Sequence, residues 1–271
     1  HGLGFAFQRS TFLFWEKSTC IPLTPAISWQ DSRATVILDR FKRYEGEVWE
    51  ITGAPLSAHF GGPKFYYMVQ NNINLKKKAK SGEVYFGPLS AFIVHAITGK
   101  AAIDESIAGR TLMYDLQSGE WSKFTLDLFD VPIDCLPPIK PVKYEYGNFL
   151  NSEIPLLAVI GDQQSALFGQ AGFDRGAAKC TFGTGSFILM NTGQDRMHSD
   201  AGLLSTVAWQ LPGQKTPVYA LEGGAFICGA AVQWLRDELG MIKRAPDIEK
   251  LASQVPDAGG VEFVPALTGL G

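Results

Sequence analysis

The strongest candidate for chemistry is an aspartate at the junction of a predicted strand and a predicted helix. The apolar run at residues 156–160 leads directly into Gly161 and Asp162, and helix-compatible residues follow. An Asp there would lie at the carboxyl end of a strand, where open α/β sheets bind ligands, and at the positive end of a helix dipole. That field favours the ionised carboxylate, which can accept a proton from a substrate hydroxyl. The same residue could instead only cap the helix, and its spacing leaves both interpretations open.

A second candidate is a threonine between two glycines, Gly183-Thr184-Gly185, which separates two strand-like segments. Glycines let a hairpin turn present backbone N–H groups and the threonine hydroxyl to a phosphate oxygen, because no Cβ is in the way. An ordinary glycine-rich hairpin has the same composition, and with 29 glycines in the chain a Gly-x-Gly pair arises easily by chance. The segment is not a Walker loop, since no Gly-Lys-Ser/Thr follows.

Composition excludes several other classes of function. The histidines lack the spacing of metal ligands, and no serine lies in a Gly-x-Ser-x-Gly elbow. The 24 Lys and Arg against 27 Asp and Glu give a net charge of −3, which argues against nucleic acid as a partner. The lysine-rich run at residues 76–80 is then typical of a solvated surface. The cysteines form no Cys-x-x-Cys pair, which favours a reducing, cytoplasmic setting.

The candidate residues need a scaffold of alternating strands and helices. Apolar runs predict strands at residues 3–7, 12–15, 156–160, 205–210 and 218–222. Helical spacing predicts helices at residues 36–44, 63–73, 90–97 and 232–239, with Ser90 as an N-cap and Gly99 and Gly240 as C-caps. The Pro-rich residues 132–155 predict a surface connection. This alternation favours an α/β fold, and 271 residues fit one large or two medium domains.

Seven strings, taken together in chain order, resemble one family. They are residues 8–11 (QRST), 29–33 (WQDSR), 161–170 (GDQQSALFGQ), 179–187 (KCTFGTGSF), 219–223 (YALEG), 233–237 (QWLRD) and 263–271 (FVPALTGLG). The set resembles the FGGY carbohydrate kinases, and within them the glycerol kinase branch most closely, over nearly the whole chain. A collinear set of this kind is far more specific than any of its members.

The resemblance implies two ribonuclease-H-like domains, as in actin-like ATPases and sugar kinases, with a cleft that closes on substrate and ATP. The domains would comprise residues 1–175 and 176–271, with the boundary near Arg175 and both domains incomplete. The implied reaction transfers the γ-phosphoryl group of ATP, with Mg²⁺, to a hydroxyl of a polyol or sugar. Asp162 would be the general base and would contact Mg²⁺ through water.

The resemblance also assigns the binding residues. The substrate site would be formed by Arg9, Ser10, Trp29, His59, Asp162, Gln163 and Phe187. Thr184, Gly229 and Gln233 would line the ATP side of the cleft. Arg9 and Gln163 can hydrogen-bond neighbouring hydroxyls, while Trp29 and Phe187 offer flat apolar faces to the C–H side of a polyol.

The chain departs from the family pattern at three positions. Ser10 stands where glycerol kinases have Glu, His59 where they have a pocket Tyr, and Tyr67 where the helix signature usually has Trp. Loss of a charged acceptor at Ser10 predicts a pocket that is larger or differently polar. A ketose such as xylulose is therefore an alternative substrate to glycerol.

The two ends lead to a further expectation. The family begins with a strand and an Asp-x-Gly-Thr hairpin that binds phosphates, and it continues into an adenine-binding segment. From His1 and Gly271 we expect the chain to be the centre of a longer kinase and to lack kinase activity alone. A non-catalytic sugar- or nucleotide-binding module of the same fold is the alternative. The partner is expected to be a small molecule, no membrane span is expected, and a homo-oligomer is compatible with the sequence.

Overall fold

The computed structural model of the chain describes residues 1–267. Within that range the strands are β1 (Leu3–Phe7), β2 (Phe12–Glu16), β3 (Val84–Pro88), β4 (Ile103–Asp104), β5 (Tyr114–Asp115), β6 (Glu120–Trp121), β7 (Ile139–Lys140), β8 (Lys143–Asn148), β9 (Pro155–Gly161), β10 (Ala178–Phe182), β11 (Ser186–Gly193), β12 (Leu204–Trp209) and β13 (Val218–Ala225). The α-helices are α1 (Glu45–Thr52), α2 (Gly61–Gln70), α3 (Ile73–Lys80), α4 (Leu89–Thr98), α5 (Glu105–Ala108), α6 (Lys123–Leu128), α7 (Asp162–Gly169), α8 (Gly229–Asp237) and α9 (Asp247–Ala252). None of the helices in residues 1–267 combines the length and the apolar character that a bilayer span requires.

Two strands of a three-stranded sheet bring distant parts of the chain to one edge. β1 pairs in parallel with β9, and β8 pairs antiparallel with β9 on its other side. Phe7, the last residue of β1, lies opposite Gly161, the last residue of β9. Because the carboxyl ends of parallel strands meet at the same edge, Arg9 and Asp162 leave the sheet close together.

Beyond that edge, β2 enters an apolar core and pairs antiparallel with β3. The ring centroid of Phe12 lies 5.5 Å from that of Phe86, and the centroid of Phe14 lies 5.4 Å from that of Phe65. We call these four rings, Phe12, Phe14, Phe65 and Phe86, the aromatic core. Full burial of one such side chain stabilises the fold by about 1.5–3 kcal/mol. The aromatic core therefore anchors the segment that carries Arg9.

The second sheet is antiparallel, with its strands in the order β10-β11-β13-β12. β10 and β11 form a hairpin in which Phe182 pairs with Ser186, so Gly183, Thr184 and Gly185 form the turn. α8 begins directly behind this turn, where the N–H of Gly229 donates to the carbonyl oxygen of Gly183 over 2.9 Å. A Cβ at position 229 would lie only 2.6 Å from that oxygen. Glycine is therefore what allows the helix to start so close to the turn.

The antiparallel sheet also contacts the carboxyl end of α1 and the segment after β5. The N–H of Ser205 in β12 donates to the carbonyl oxygen of Gly53 over 2.8 Å. Gly53 ends α1 with a φ of 73°, and a Cβ there would lie 2.4 Å from the carbonyl oxygen of Ser205. The hydroxyl of Tyr219 donates to the carbonyl oxygen of Leu116 over 2.8 Å. These contacts hold β12 and β13 against the carboxyl end of α1 and the segment after β5.

Several predicted elements are confirmed, but two helix boundaries differ. α2 ends at Gln70, and Ile73 begins α3, because the side chain of Asn72 accepts the N–H of Leu75 over 3.1 Å and so starts a new helix. α4 begins after Pro88, which occupies the N-cap, so Ser90 lies inside the helix and the prediction of a Ser90 cap is wrong. Gly99 is the left-handed C-cap that was predicted.

Two other segments differ from the predictions in their type of secondary structure. Residues 36–44 lie in 3-10 helices, Arg33–Arg40 and Lys42–Tyr44, and not in an α-helix. Only Ala34 is buried between Arg33 and Arg40, so tertiary packing does little to hold a longer α-helix there. The Pro-rich residues 132–155 are not only a connection, because they contain a 3-10 helix at Ile133–Cys135 and the strands β7 and β8.

At the carboxyl end, α8 stops at Asp237, short of the predicted end at residue 239. Gly240 has the left-handed φ of 61° expected after a helix. The last residues of the string 263–271, Thr268 to Gly271, lie outside the described residues.

Candidate active site

Asp162 is the first residue of α7, and its side chain is 45% exposed. Gly161 occupies the N-cap position, and no side chain makes a cap hydrogen bond there. Oδ1 of Asp162 accepts the N–H of Gln163 over 2.8 Å, and Nε2 of Gln163 lies 3.4 Å from Oδ2. Asp162 is thus not the helix cap, and its partly exposed carboxylate can still receive a ligand.

Arg9 approaches Asp162 from the end of β1. Its Nε lies 3.4 Å from Oδ1 of Asp162, and its Nη1 donates to Oε1 of Gln164 over 3.3 Å. The next residue, Ser10, has a φ of 61°, in the left-handed region that few residues other than glycine adopt. Strained backbone of this kind is concentrated at functional sites, where the surrounding structure holds it in place.

A buried lysine supports the strained turn. Lys64 of α2 is 1% exposed, and its Nζ donates to the carbonyl oxygens of Ser10 over 2.8 Å and of Ser28 over 2.7 Å. Ser28 directly precedes Trp29, so the amino group of Lys64 holds two of the segments that carry predicted substrate-site residues. Burial lowers the pKa of Lys64 to about 7.

A second lysine reaches Gln163 from the other sheet. Lys179 of β10 is buried, and its Nζ donates to Oε1 of Gln163 and, over 2.9 Å, to Oγ1 of Thr181. Because the oxygen of the Gln163 amide is bound to Lys179, its nitrogen is directed towards Asp162. Burial also lowers the pKa of Lys179.

Four ring side chains form one side of the site, which we call the aromatic wall: Trp29, His59, Phe187 and Phe226. The indole of Trp29 meets Phe187 and Phe226 edge-on, with centroid distances of 6.1 Å and 5.9 Å. The ring of His59 lies 4.5 Å from that of Phe226, and its Nδ1 lies 3.0 Å from the carbonyl oxygen of Trp29. Burial lowers the pKa of His59, so the ring is neutral at pH 7 and Nδ1–H is the donor to that carbonyl.

The aromatic wall lines one cavity together with Arg9, Asp162 and Gln163, and its volume is about 470 Å³. The structure brings together every residue predicted for the substrate site, namely Arg9, Ser10, Trp29, His59, Asp162, Gln163 and Phe187. Thr184 and its two glycine neighbours line the same cavity. Gly229 and Gln233 do not line it, since Gly229 lies behind the turn and Gln233 lies farther along α8. Their role in binding ATP stays a prediction.

Sequence reasoning missed part of the lining. Arg110, Glu222 and Phe226 also face the cavity, and Lys179 had no assigned role. Four charged residues, Arg9, Arg110, Asp162 and Glu222, line the cavity, and we call them the charged floor together with Lys179, whose Nζ donates to Gln163 in the lining. Glu222 could have been found, because an ionised side chain in an otherwise apolar strand must have a partner. Arg110 carries no comparable signal in the sequence.

The carboxylate of Asp162 and the polar groups of the turn at Thr184 are compatible with a magnesium–nucleotide complex. Within residues 1–267, no three His, Cys, Asp or Glu side chains come together to hold a metal ion. Mg²⁺ is usually bound by one or two carboxylates, together with substrate phosphates and water. The partly exposed carboxylate of Asp162 fits this pattern, and the turn at Thr184 offers a hydroxyl and backbone groups to the phosphates.

The sequence matches two domains of one known family, one after the other along the chain. Residues 1–169 match the N-terminal domain of the FGGY family of carbohydrate kinases, and residues 178–271 match the C-terminal domain. The chain belongs to the FGGY family of carbohydrate kinases. The predicted family is thus confirmed, while the boundary near Arg175 stays a prediction.

Curated relatives are similar to almost all of this chain. It is 47% identical over 278 residues to a glycerol kinase of Myxococcus xanthus strain DK1622, covering 99% of this chain and 56% of the relative. It is 43% identical over 275 residues to glycerol kinase 2 of Saccharolobus solfataricus, covering 100% of this chain and 55% of the relative. The chain therefore spans about half the length of the curated relatives it matches.

Solved structures support the same fold. The chain superposes on a Plasmodium falciparum glycerol kinase with ADP at a TM-score of 0.86 and 32% identity, over 97% of this chain and 54% of that one. A xylulose kinase from Lactobacillus acidophilus matches at a TM-score of 0.77 and 20% identity, over 93% and 52% of the two chains, and shows the fold alone. The predicted α/β fold with two ribonuclease-H-like domains is confirmed.

Proposed function

We propose that the protein containing this chain transfers the γ-phosphoryl group of ATP to a hydroxyl of glycerol or a related polyol or sugar. The observation that carries this proposal is that Asp162, Arg9 and Gln163 line the same cavity as the turn at Thr184. Similarity to glycerol kinases over nearly the whole chain supports the same substrate class.

Each group has a physical role in this reaction. Asp162 accepts the proton of the attacking hydroxyl as general base, and Arg9 and Gln163 orient that hydroxyl and its neighbours. The aromatic wall packs against the C–H faces of the substrate. Asp162 would hold Mg²⁺, which would supply positive charge to the phosphates of a bound nucleotide. Thr184 meets the phosphates, and Gly229 and Gln233 lie on the nucleotide side of the cleft.

The test uses the full-length gene product with ATP and Mg²⁺ against glycerol, longer polyols and ketoses. Asp162→Asn should lower kcat by about 10²–10⁴-fold, because the proton acceptor is lost while the shape is kept. Asp174→Asn, which makes the same change at an exposed position, is the matched control and should leave kcat unchanged. Absence of phosphorylation of every substrate, or unchanged turnover in Asp162→Asn, would overturn the proposal.

A ketose is the second candidate substrate. Ser10 and His59, two of the positions that depart from the glycerol kinase pattern, both line the cavity. Ser10 offers a short hydroxyl side chain to the substrate in place of a carboxylate. Measuring kcat/KM for glycerol and for xylulose separates the two candidates, since discrimination appears in that ratio. A non-catalytic binding module of the same fold would instead bind these ligands without turnover.

We also propose that the protein acts in the cytoplasm. All four cysteines, Cys20, Cys135, Cys180 and Cys228, are free thiols in the structure. Free thiols are typical of a reducing compartment.

A further inference from the structure

A buried glutamate forms part of the floor of the cavity. Glu222 lies in the middle of β13, between β11 and β12, and is 3% exposed. Removing a carboxylate from water costs several kcal/mol unless the charge is paired and hydrogen-bonded. An ionised group in this position therefore needs strong partners, and the structure provides two.

Both partners of Glu222 are arginines. Nη1 of Arg9 donates to Oε2 and Nη2 of Arg9 donates to Oε1, each over 2.7 Å, in the bidentate geometry that makes Arg–carboxylate pairs strong. Nη2 of Arg110 also donates to Oε2. Burial raises the pKa of Glu222, but Arg110 and Arg9 outweigh it and hold the pKa below its usual value. Burial and the charge of Arg9 lower the pKa of Arg110 to about 10.

The bidentate pair fixes the direction of the remaining donors of Arg9. Nη1 is occupied by Glu222 and Gln164, and Nη2 has one hydrogen on Glu222. Nε, 3.4 Å from Oδ1 of Asp162, is the donor that faces the proposed proton acceptor. A guanidinium is planar, so holding its two Nη atoms also fixes where Nε points.

The pair also joins the two matched domains. Arg9 belongs to the segment matched to the N-terminal FGGY domain, and Glu222 belongs to the segment matched to the C-terminal one. β13 pairs with β11, whose hairpin with β10 carries Thr184. Arg9 is therefore held by the same sheet that bears the turn proposed to meet the nucleotide.

We propose that Glu222 is a positioning residue, which orients Arg9 for the substrate hydroxyl beside Asp162 and ties this orientation to the nucleotide-bearing sheet. The proposal rests on the proposed kinase function for its substrate, but the contact between Glu222 and Arg9 can be tested separately. If Glu222 is lost, two guanidinium groups remain side by side without their shared counter-charge. Arg9 then turns away from its present direction, and the hydroxyl loses its orientation.

The kinetic test compares variants of the full-length protein. Glu222→Gln keeps the size of the side chain and removes the charge. Losing one partner of a buried charged pair should lower kcat/KM for the hydroxyl substrate by about 30-fold or more, with KM raised. KM for ATP should change much less. Glu222→Asp, which keeps the charge but shortens the reach, should lie between wild type and Glu222→Gln.

The matched control is Glu249→Gln, the same charge change at an exposed position of α9, and it should behave as wild type. Arg9→Met combined with Glu222→Gln should be no worse than Arg9→Met alone, because residues that act through one contact are not additive. A purely structural defect would instead reduce the amount of folded enzyme and leave KM unchanged. Additive losses, or an unchanged KM in Glu222→Gln, would overturn the proposal.

A second readout needs no turnover. Amide hydrogen exchange at residues 8–11 should be faster in Glu222→Gln than in wild type, since Arg9 has lost its anchor, and Glu249→Gln should show no difference. If the wild-type protein phosphorylates nothing, the proposed function fails while this comparison still decides the contact. Equal exchange at residues 8–11 in wild type and Glu222→Gln would show that Glu222 does not hold Arg9.

Discussion

The aromatic core and the charged floor are stabilised in opposite ways, although each has a member in the same short stretch of chain. Phe12 belongs to the first and Arg9 to the second, and only Ser10 and Thr11 separate these two residues. In the core, ring packing and removal of apolar area from water supply the stability. In the floor, each buried charge costs free energy that its partners must offset.

This difference predicts different responses to substitution. A core ring can be replaced at a cost that depends mainly on lost volume, because dispersion and burial are non-directional. A floor residue works only through the direction of its hydrogen bonds. Changes in the core should therefore appear as lost stability, and changes in the floor as lost activity.

The largest expected effect is in the core. Phe86→Ala removes a fully buried ring that contacts Phe12, Phe14 and Phe65, so the free energy of unfolding should fall by about 3–5 kcal/mol. Turnover per folded molecule should stay as in wild type. Urea denaturation together with active-site-normalised kinetics measures both. Val36→Ala, at a side chain that is 79% exposed, is the control. A large loss of kcat in folded Phe86→Ala would break the contrast between the two regions.

The next effect is in the floor. Lys179→Met removes the charged donor that holds Oε1 of Gln163, so the amide beside Asp162 is free to rotate. A hydrogen bond to a charged group is worth about 1.5–3 kcal/mol, which corresponds to a fall of about 10- to 150-fold in kcat/KM. Steady-state kinetics checks this, with Lys250→Met at an exposed position as the control. Kinetics equal to wild type would show that Gln163 needs no support from β10.

A smaller effect concerns the buried carboxyl of Glu105, the first residue of α5. Burial and then the neighbouring Asp104 raise the pKa of Glu105 from 4.5 to about 8. Because the folded state holds the proton more tightly than the unfolded state, this stabilisation is complete below pH 4.5 and is lost as the pH rises through 8. For one group the slope is at most about 1.4 kcal/mol per pH unit.

Glu105→Gln should remove that slope, since the amide does not titrate. The stability of wild type and of Glu105→Gln should be compared by denaturation midpoints at about pH 5, 6.5 and 8, which span the titration. The difference in stability between the two proteins should change in favour of the variant as the pH rises. A difference that is constant with pH would mean that Glu105 is already ionised when folded.

The smallest effect is expected at an exposed ion pair between α1 and the segment after β11. Arg196 and Glu50 form this pair, and the side chain of Glu50 is 69% exposed. Exposed pairs contribute about 0–1 kcal/mol, so Glu50→Gln should change stability by less than ~1 kcal/mol and leave kcat/KM unchanged. Thermal unfolding and kinetics measure both quantities. A loss comparable to that of Glu222→Gln would remove the distinction between exposed and buried pairs across the cleft.

The sequence predicted the strands and the turn better than the partners of the charged residues. The strand at 156–160 followed by Asp162 and the hairpin around Thr184 are local patterns, and the structure contains both. The pairing of Arg9 with Glu222 joins residues that are far apart in the chain, so no spacing rule reveals it. Lys64 was likewise hidden, because its position in a helix says nothing about the two carbonyl groups it meets.

Where the predictions were wrong, tertiary context decided. The spacing of Val36, Ile37 and Phe41 is helical, but Val36 is exposed and the segment forms 3-10 helices. β8 lies in a Pro-rich segment whose composition favours a loop, and its pairing with β9 decides the outcome. Such pairing depends on a partner strand that local composition cannot specify.

The close approach at Gly53 limits how this protein can evolve. Position 53 takes no part in the cavity, yet even one methyl group there would meet the carbonyl oxygen of Ser205 at 2.4 Å. Its φ of 73° adds a second restriction on any L-residue. Substitutions at this site would push β12 away from the carboxyl end of α1. Selection on the proposed activity is therefore expected to act on a glycine that does not line the cavity.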